Sequence, residues 1–127
     1  MADPANWRVA KAIFVADDLA KAKEYALGPN SPYVFYYKQL FTKFSAMGKI
    51  GLFKTDTNQS DEDVTFDDVC KKMIIWGTKD KVIDDLSAFR EEVGDFGTLM
   101  YAGMDWADAE LARRSMILTA EKVVPLL

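Results

Sequence analysis

Histidine is absent from this sequence of 127 residues. Its absence excludes nucleophilic catalysis assisted by histidine, a histidine general base and nearly every kind of zinc site. There is a single cysteine, Cys70, so an intrachain disulfide framework is excluded as well, and we expect Cys70 to be a packing residue. The sequence therefore assigns no catalytic residue and no metal ligand.

Positive charge and long apolar runs are also scarce. Sixteen basic against twenty acidic side chains give a net charge of -4, and no basic cluster is present, which argues against a nucleic-acid partner. No uncharged run is long enough to span a bilayer, and residues 1–4 lack the cationic and apolar regions of a secretion signal. We therefore expect a cytoplasmic protein with no membrane segment.

No proline, glycine or serine tract divides the chain, and half of its residues are hydrophobic. This composition is sufficient for one domain with a core of its own. We expect residues 1–127 to form a single domain.

The pattern of the second half predicts helix, buried strand, helix, and we expect the rest of the chain to be organised around it. Residues 97–103 are apolar with no solvated alternate face, which is typical of a parallel strand covered on both sides. Helices are predicted over residues 78–93 and 106–125, the second with Asp105 as its cap and one continuous apolar stripe. The stripe consists of Met116, Ile117, Ala120, Val123, Val124 and Leu127.

The first half predicts another strand, residues 8–16, buried in its second part. Caps at Asp17, Ser31 and Thr65 predict helices over residues 17–28, 31–48 and 65–70. Residues 54–63 are predicted to be a polar, mobile loop, and residues 73–76 are predicted to be extended. Strands that alternate with helices indicate the α/β class with a parallel sheet.

Three patterns have two interpretations each. The aromatic helix 31–48 is interpreted as a core-facing helix or as an aromatic cofactor site. The acidic triplet 61–63 is interpreted as solvated charge or as a hard-cation site, although it lacks the spacing of a calcium loop. Residues 77–79 at a helix start are interpreted as a helix cap or as a phosphate site.

The residues after the strand 97–103 are the most suggestive for function, because loops that follow parallel strands often hold ligands in α/β proteins. An interpretation without a ligand makes Asp105 a helix cap and Trp106 a hydrophobic staple or lid. Composition alone does not separate the two.

In their order and spacing, several segments resemble the bacterial luciferase-like flavin-dependent monooxygenases, of the limonene-monooxygenase type. The resemblance covers nearly the whole chain but only the last part of that family's fold. It is carried by residues 8–17, 30–33, 35–37, 77–78, 89–94, 96–99, 105–106 and 112–116.

The resemblance implies a (β/α)₈ barrel that binds reduced FMN and uses oxygen to oxidise a small apolar compound such as an aldehyde or terpene. Residues 8–16 would be strand seven, residues 17–76 a helical insertion, and residues 98–103 strand eight. A full barrel needs about 250 residues, so the chain would supply only the C-terminal βα units of a partial barrel.

The resemblance also implies that Tyr101, Met104, Asp105 and Trp106 lie at the cofactor pocket, at the active-site end of strand eight. Met104 stands where close relatives have histidine in Gly-His-Asp-Trp. The resemblance assigns no phosphate-binding residue to this chain, because in the family that site lies on earlier strands. Too few strands are predicted to cover the edges and the apolar faces of one another, so we expect a homo-oligomer, most simply a dimer, or association with a complementing barrel fragment. The alternative function is a catalytically silent association domain that binds no flavin.

Overall fold

The computed structural model describes residues 3–54 and 56–127. Met1 and Ala2, which belong to the stretch considered for a secretion signal, lie outside the described residues. So does Thr55, which belongs to the predicted polar loop.

The described residues form a parallel sheet of three strands with helices on both faces, so the predicted α/β class is confirmed. The strands are β1 (Arg8–Val15), β2 (Ile74–Gly77) and β3 (Thr98–Ala102). The helices are α1 (Leu19–Leu27), α2 (Pro32–Ala46), α3 (Phe66–Met73), α4 (Lys79–Val93) and α5 (Ala109–Leu118). A π turn (Thr119–Val123) follows α5, and short 3₁₀ turns are Pro4–Asn6, Ile50–Phe53, Asp61–Asp63 and Val124–Leu126.

The sheet is organised around β1, in the order β2-β1-β3, and not around the second half of the chain as predicted. The two outer strands pair with different halves of β1. Ala12 marks the boundary, because its Cα partners are Ile74 on one side and Ala102 on the other. From Ala12 to Val15 the central strand is buried, as predicted.

The prediction that β3 is covered on both faces is wrong. Thr98, Met100 and Ala102 are exposed, whereas Leu99 and Tyr101 are half-buried. The reason is that β3 is an edge strand, of which only the face carrying Leu99 and Tyr101 packs against a core. Neutral residues on the other face made the sequence look evenly apolar.

Alternate residues of β1 serve two separate cores, because side chains of a strand point to opposite faces. Ala12 and Phe14 belong to the first core, formed with α1, α2 and α3. Ile13 and Val15 belong to the second core, formed with α4 and the C-terminal segment. Both cores therefore share one strand.

Two predicted caps are displaced. The cap of α1 is Asp18, whose carboxylate accepts from the N–H of Lys21, and not Asp17. The cap of α5 is Asp108, so the helix begins at Ala109 and not at residue 106, and the prediction of Asp105 as cap is wrong. In both places two acidic residues compete, and the backbone conformation selects the later one.

The other predicted helix boundaries agree with the structure to within a few residues, except that α5 ends at Leu118 and not at residue 125. Ser31 caps α2, and Thr65 caps α3 in a reciprocal capping box with Asp68. Thr78 precedes α4 as predicted, but its hydroxyl makes no capping hydrogen bond. Gly94 ends α4 with a φ of 88°, a conformation that favours glycine.

The predicted apolar stripe at the C-terminus is also wrong in part. Met116 and Val124 are exposed, whereas the polar residues Ser115 and Thr119 are buried. Thr119 satisfies its hydroxyl by donating to the Ser115 carbonyl, 2.7 Å away. Ser115 is buried between β1 and β3, where its hydroxyl forms hydrogen bonds with Val15 and Tyr101. Within residues 3–54 and 56–127, no helix has the length and apolar character needed to cross a membrane.

Candidate functional site

Side chains from two helices continue the hydrogen bonding of β1 where β3 has ended. The last pair between the two strands is Ala12 with Ala102. Beyond it, the Val15 N–H donates to the Ser115 Oγ at 2.8 Å, and the Ile13 carbonyl accepts from the Tyr33 hydroxyl at 3.2 Å. The carboxyl end of β1 is therefore fixed by α2 and α5 instead of a third strand at that point.

Ser115 also connects β3 to this arrangement. Its Oγ lies 2.8 Å from the Tyr101 hydroxyl, and Ser115 is fully buried. Burial raises the pKa of the Tyr101 phenol above its ordinary value, while the Ser115 hydrogen bond opposes that shift. Tyr101 therefore remains a neutral phenol at physiological pH, directed toward α5.

A second tyrosine holds the loop after β3. The Tyr25 hydroxyl donates to the Met104 carbonyl at 2.6 Å. The Tyr25 ring stacks on Phe14 at 4.4 Å between ring centroids, and the Tyr33 ring meets Tyr25 edge-on at 6.1 Å. Burial raises the pKa of Tyr25 and of Tyr33. These neutral, stacked phenols position the loop and do not supply a base.

The tip of the loop lies on the surface. Trp106 is 62% exposed and packs edge-on against Phe35 of α2, which is 55% exposed, with the ring centroids 5.5 Å apart. Asp105 is exposed, and within the described residues its carboxylate has no hydrogen-bond or ion-pair partner. The loop thus presents an aromatic surface and a solvated carboxylate side by side.

An open groove of about 600 Å³ runs between α1 and α5. At this groove, Arg114 donates to both carboxylate oxygens of Asp17 at 2.9 and 3.0 Å. The Arg114 guanidinium holds the pKa of Asp17 below its ordinary value. The lining residues are Lys21, Glu24, Tyr25, Pro29, Asn30, Ala107, Asp108, Glu110, Leu111 and Arg114.

The structure brings three of the four predicted site residues into one loop and separates the fourth. Met104 is half-buried against the first core, and Asp105 and Trp106 follow it on the surface. Tyr101 instead packs against the second core, on the other face of the sheet. None of the four lines the groove between α1 and α5.

Sequence reasoning missed the residues that support the loop. Ser115 lies at helical spacing between Ala112 and Leu118, and a hydroxyl on that otherwise apolar face is the signal that would have indicated a buried, hydrogen-bonded serine. Tyr25 falls within the predicted helix 17–28, and the sequence gives no signal that its hydroxyl reaches the loop after β3. The pair of Asp17 and Arg114 is separated by 97 residues, and the sequence gives no signal for it.

Metal chemistry finds no support in the described part of the chain. Among residues 3–54 and 56–127, cysteine and acidic side chains form no group of three or more that is placed to hold a metal ion. Asp61, from the acidic triplet, forms an ion pair with Lys54 instead.

Comparisons with known proteins agree with this fold. No protein-family model matches the chain. A curated relative, 4-hydroxyprotoasukamycin monooxygenase from Streptomyces nodosus subsp. asukaensis, is 28% identical over 123 residues, which are 97% of this chain and 31% of the relative.

A solved structure has the same fold at a TM-score of 0.80 and 21% identity. It is a type II Baeyer-Villiger monooxygenase, the oxygenating constituent of 3,6-diketocamphane monooxygenase from Pseudomonas putida, in complex with FMN. The match covers 98% of this chain and 34% of that one, so the chain spans about a third of the length of these two proteins. As predicted from its sequence, the chain therefore resembles a fragment of a luciferase-like flavin-dependent monooxygenase.

Proposed function

We propose that the chain is a fragment or subunit of an FMNH₂-dependent, oxygen-using monooxygenase acting on a small apolar substrate such as an aldehyde or terpene. The observation that carries this proposal is the similarity of nearly the whole chain to about a third of each of two monooxygenases, one of them an FMN complex. Its partner would be a second copy of the chain or a complementing barrel fragment.

The proposal includes a partial (β/α)₈ barrel formed by the single domain 1–127. In its support, β1 and β3 are parallel neighbours, as consecutive barrel strands are. The face of β3 that carries Met100 is uncovered, which is expected if the remaining strands of a barrel are supplied by another polypeptide.

The residues at the end of β3 fit only one part of FMN. Trp106 and Met104 offer an apolar surface suited to the isoalloxazine ring, and Asp105 lies beside them. Tyr101 belongs to the proposed set by resemblance only, because its side chain lies on the other face of the sheet. The amides at the start of α5 are unsuited to the phosphate, because the Asp108 carboxylate already accepts from the N–H groups of Glu110 and Leu111. We therefore propose that another part of the monooxygenase provides the phosphate site.

Bound flavin would supply the oxygen chemistry, and this chain would supply position. The phenols of Tyr25, Tyr33 and Tyr101 have raised pKa values and act as neutral hydrogen-bonding groups. With no histidine in the sequence, no general base is proposed here.

Equilibrium dialysis with FMN, followed by oxygen consumption with reduced FMN, tests the proposal. We expect the chain alone to bind weakly or not at all and to turn over no reduced flavin, because an incomplete barrel neither encloses the ring nor excludes water. Residual binding should be lost in Trp106→Ala and kept in Trp7→Ala, whose tryptophan is exposed outside the proposed site. Stoichiometric FMN retained through gel filtration, with oxygen consumption above that of Trp106→Ala, would contradict the expectation.

The alternative, a catalytically silent association domain, is distinguished by the reading frame upstream of Met1. An in-frame segment encoding the first part of a barrel supports the monooxygenase. Its absence, together with no FMN binding, favours the silent domain.

A further inference from the structure

The loop between β3 and α5 is fixed at both of its ends, and its tip is less constrained. Before the tip, the Met104 carbonyl accepts from the Tyr25 hydroxyl at 2.6 Å. After the tip, the Asp108 carboxylate caps α5. Residues 105–107, between these two points, are exposed. Segments with few buried contacts move more easily than the elements that flank them, so we expect the tip to pivot while its ends stay in place.

The Trp106 indole at this tip meets a residue from a distant part of the chain. It packs edge-on against the Phe35 ring, with the ring centroids 5.5 Å apart and the ring planes at 78°. Phe35 lies in the first turn of α2, next to α1, the helix that carries Tyr25. The base of the loop is therefore held by α1, and its tip meets α2.

The start of α2 gives Phe35 a fixed position. The Ser31 hydroxyl caps this helix and donates to the Ala26 carbonyl of α1 at 2.8 Å. Tyr33 is buried and donates to the Ile13 carbonyl of β1. These contacts join the first turn of α2 to α1 and to the sheet. The Phe35 ring is therefore a rigid support for the more mobile tip.

The contact between the two rings uses only part of each. Trp106 is 62% exposed and Phe35 is 55% exposed, although the rings touch. An aromatic pair of this kind favours the packed arrangement by about twofold to tenfold. About a tenth to a third of the molecules then have the tip released, so the contact orients Trp106 without locking it.

We propose that Phe35 is a positioning residue for Trp106: its ring holds the indole in one orientation, in which the rest of the indole surface meets the isoalloxazine ring. The meeting with isoalloxazine rests on the function proposed above, whereas the packing on Phe35 does not. The helical layer would then set the geometry of the cofactor loop, through Tyr25 at its base and Phe35 at its tip. Loss of the Phe35 ring should release the tip and leave the fold intact, because Phe35 belongs to neither core.

Fluorine NMR of the full chain labelled with 5-fluorotryptophan tests this proposal. The sequence has three tryptophans, and Trp106→Phe assigns the Trp106 resonance. Phe35→Ala removes the ring and should move that resonance toward its position in the unfolded chain, whereas Phe35→Tyr keeps the ring and should keep the wild-type position. Tyr36→Ala is the matched control, because it removes an exposed ring from the next position of α2 and should leave the Trp106 resonance unchanged.

Further measurements keep the proposal testable if a variant folds poorly. The resonance of Trp76, which packs against the first core, reports whether each labelled variant is folded. In unlabelled wild type, nuclear Overhauser contacts should join the Phe35 ring to the Trp106 indole. In a double-mutant cycle of Phe35→Ala with Trp106→Ala, the coupling should change the unfolding equilibrium constant by about twofold to tenfold.

A Trp106 resonance that Phe35→Ala leaves unchanged in a folded protein would overturn the proposal. An equal change in Tyr36→Ala would overturn it as well, as would additive effects in the cycle or the absence of ring-to-ring contacts in wild type. None of these readouts requires flavin, so their failure is distinct from failure of the proposed flavin function.

Discussion

At the scale of single residues, Ser115 joins the central strand β1 to the edge strand β3. It occupies a position where the sequence pattern favours an apolar side chain, yet its hydroxyl is required by two partners. The Val15 N–H donates to it, and the Tyr101 hydroxyl lies within hydrogen-bonding distance. Because Ser115 is fully buried, neither partner has water as a ready substitute.

We therefore expect Ser115→Ala to lower the free energy of unfolding by about 1 to 3 kcal/mol, the typical cost of leaving a buried donor unsatisfied. Urea unfolding measures the change. Ser87→Ala is the control, since Ser87 is exposed on α4, and it should be close to neutral. Equal effects of both substitutions would show that the Ser115 hydroxyl contributes nothing specific.

Tyr37 predicts a dependence of stability on alkaline pH. Burial raises the pKa of its phenol to about 12, above the value near 10 of an unfolded chain. Between these two values the unfolded state loses the proton first, so stability is complete below about pH 10 and falls as pH rises toward 12. By pH 11 the loss from Tyr37 should be about 1 kcal/mol.

Urea unfolding at pH 8 and pH 11 checks this expectation. Tyr37→Phe should reduce the difference in free energy of unfolding between the two pH values. Tyr36→Phe is the comparison variant at an exposed neighbour on the same helix, and it should reduce the difference less, because Tyr36 raises the pKa of Tyr37 only as a cause second to burial. A difference unchanged by Tyr37→Phe would refute the assignment.

At the scale of secondary-structure elements, the loop from β3 to α5 is defined by its cap. The Asp108 carboxylate accepts from the N–H groups of Glu110 and Leu111 and thereby fixes the first turn of α5. Tyr25 fixes the same loop at the Met104 carbonyl. Asp105 and Trp106 lie between these two points, so they are exposed on the surface and contribute nothing to the helix.

Asp108→Ala should cost about 1 kcal/mol of stability, as is typical for loss of a helix cap. Asp105→Ala should be nearly neutral, because Asp105 caps nothing. Thermal unfolding followed by circular dichroism compares the two variants. The reverse ranking would restore Asp105 as the cap.

At the scale of the whole molecule, β1 couples the two cores. Phe14 packs in the first core and Val15 in the second, so neither core is complete without this strand. A domain in which two cores share one strand is expected to unfold as a unit.

We predict a single cooperative transition in urea, with coincident curves from tryptophan fluorescence and far-ultraviolet circular dichroism. Trp76 and Trp106 report on different parts of the fold, since Trp76 packs against the first core and Trp106 lies on the loop after β3. Two separated transitions would mean that the α1–α3 layer folds independently and that residues 1–127 are not one domain.

Much of the fold could be predicted because its signals are local. Ser31 before Pro32, the Thr65 and Asp68 capping box, and the apolar run that ends β1 each act within a few residues. The loop containing Met104, Asp105 and Trp106 could be located for the same reason. The grouping of these residues with Tyr101 in one pocket could not be checked from the sequence, because only the structure shows that the Tyr101 side chain lies on the opposite face of the sheet.

By itself, the sequence determined the α/β class, the types and order of the main elements, the absence of histidine chemistry and the resemblance to flavin monooxygenases. Tertiary structure alone decided that β1 is central, that β3 is an open edge, and that Ser115, Tyr33 and Tyr25 fix the site. The physical reason is distance along the chain. Strand order and the contact between Ser115 and Val15 join residues far apart in sequence, and they arise only when the helices pack on both faces of the sheet.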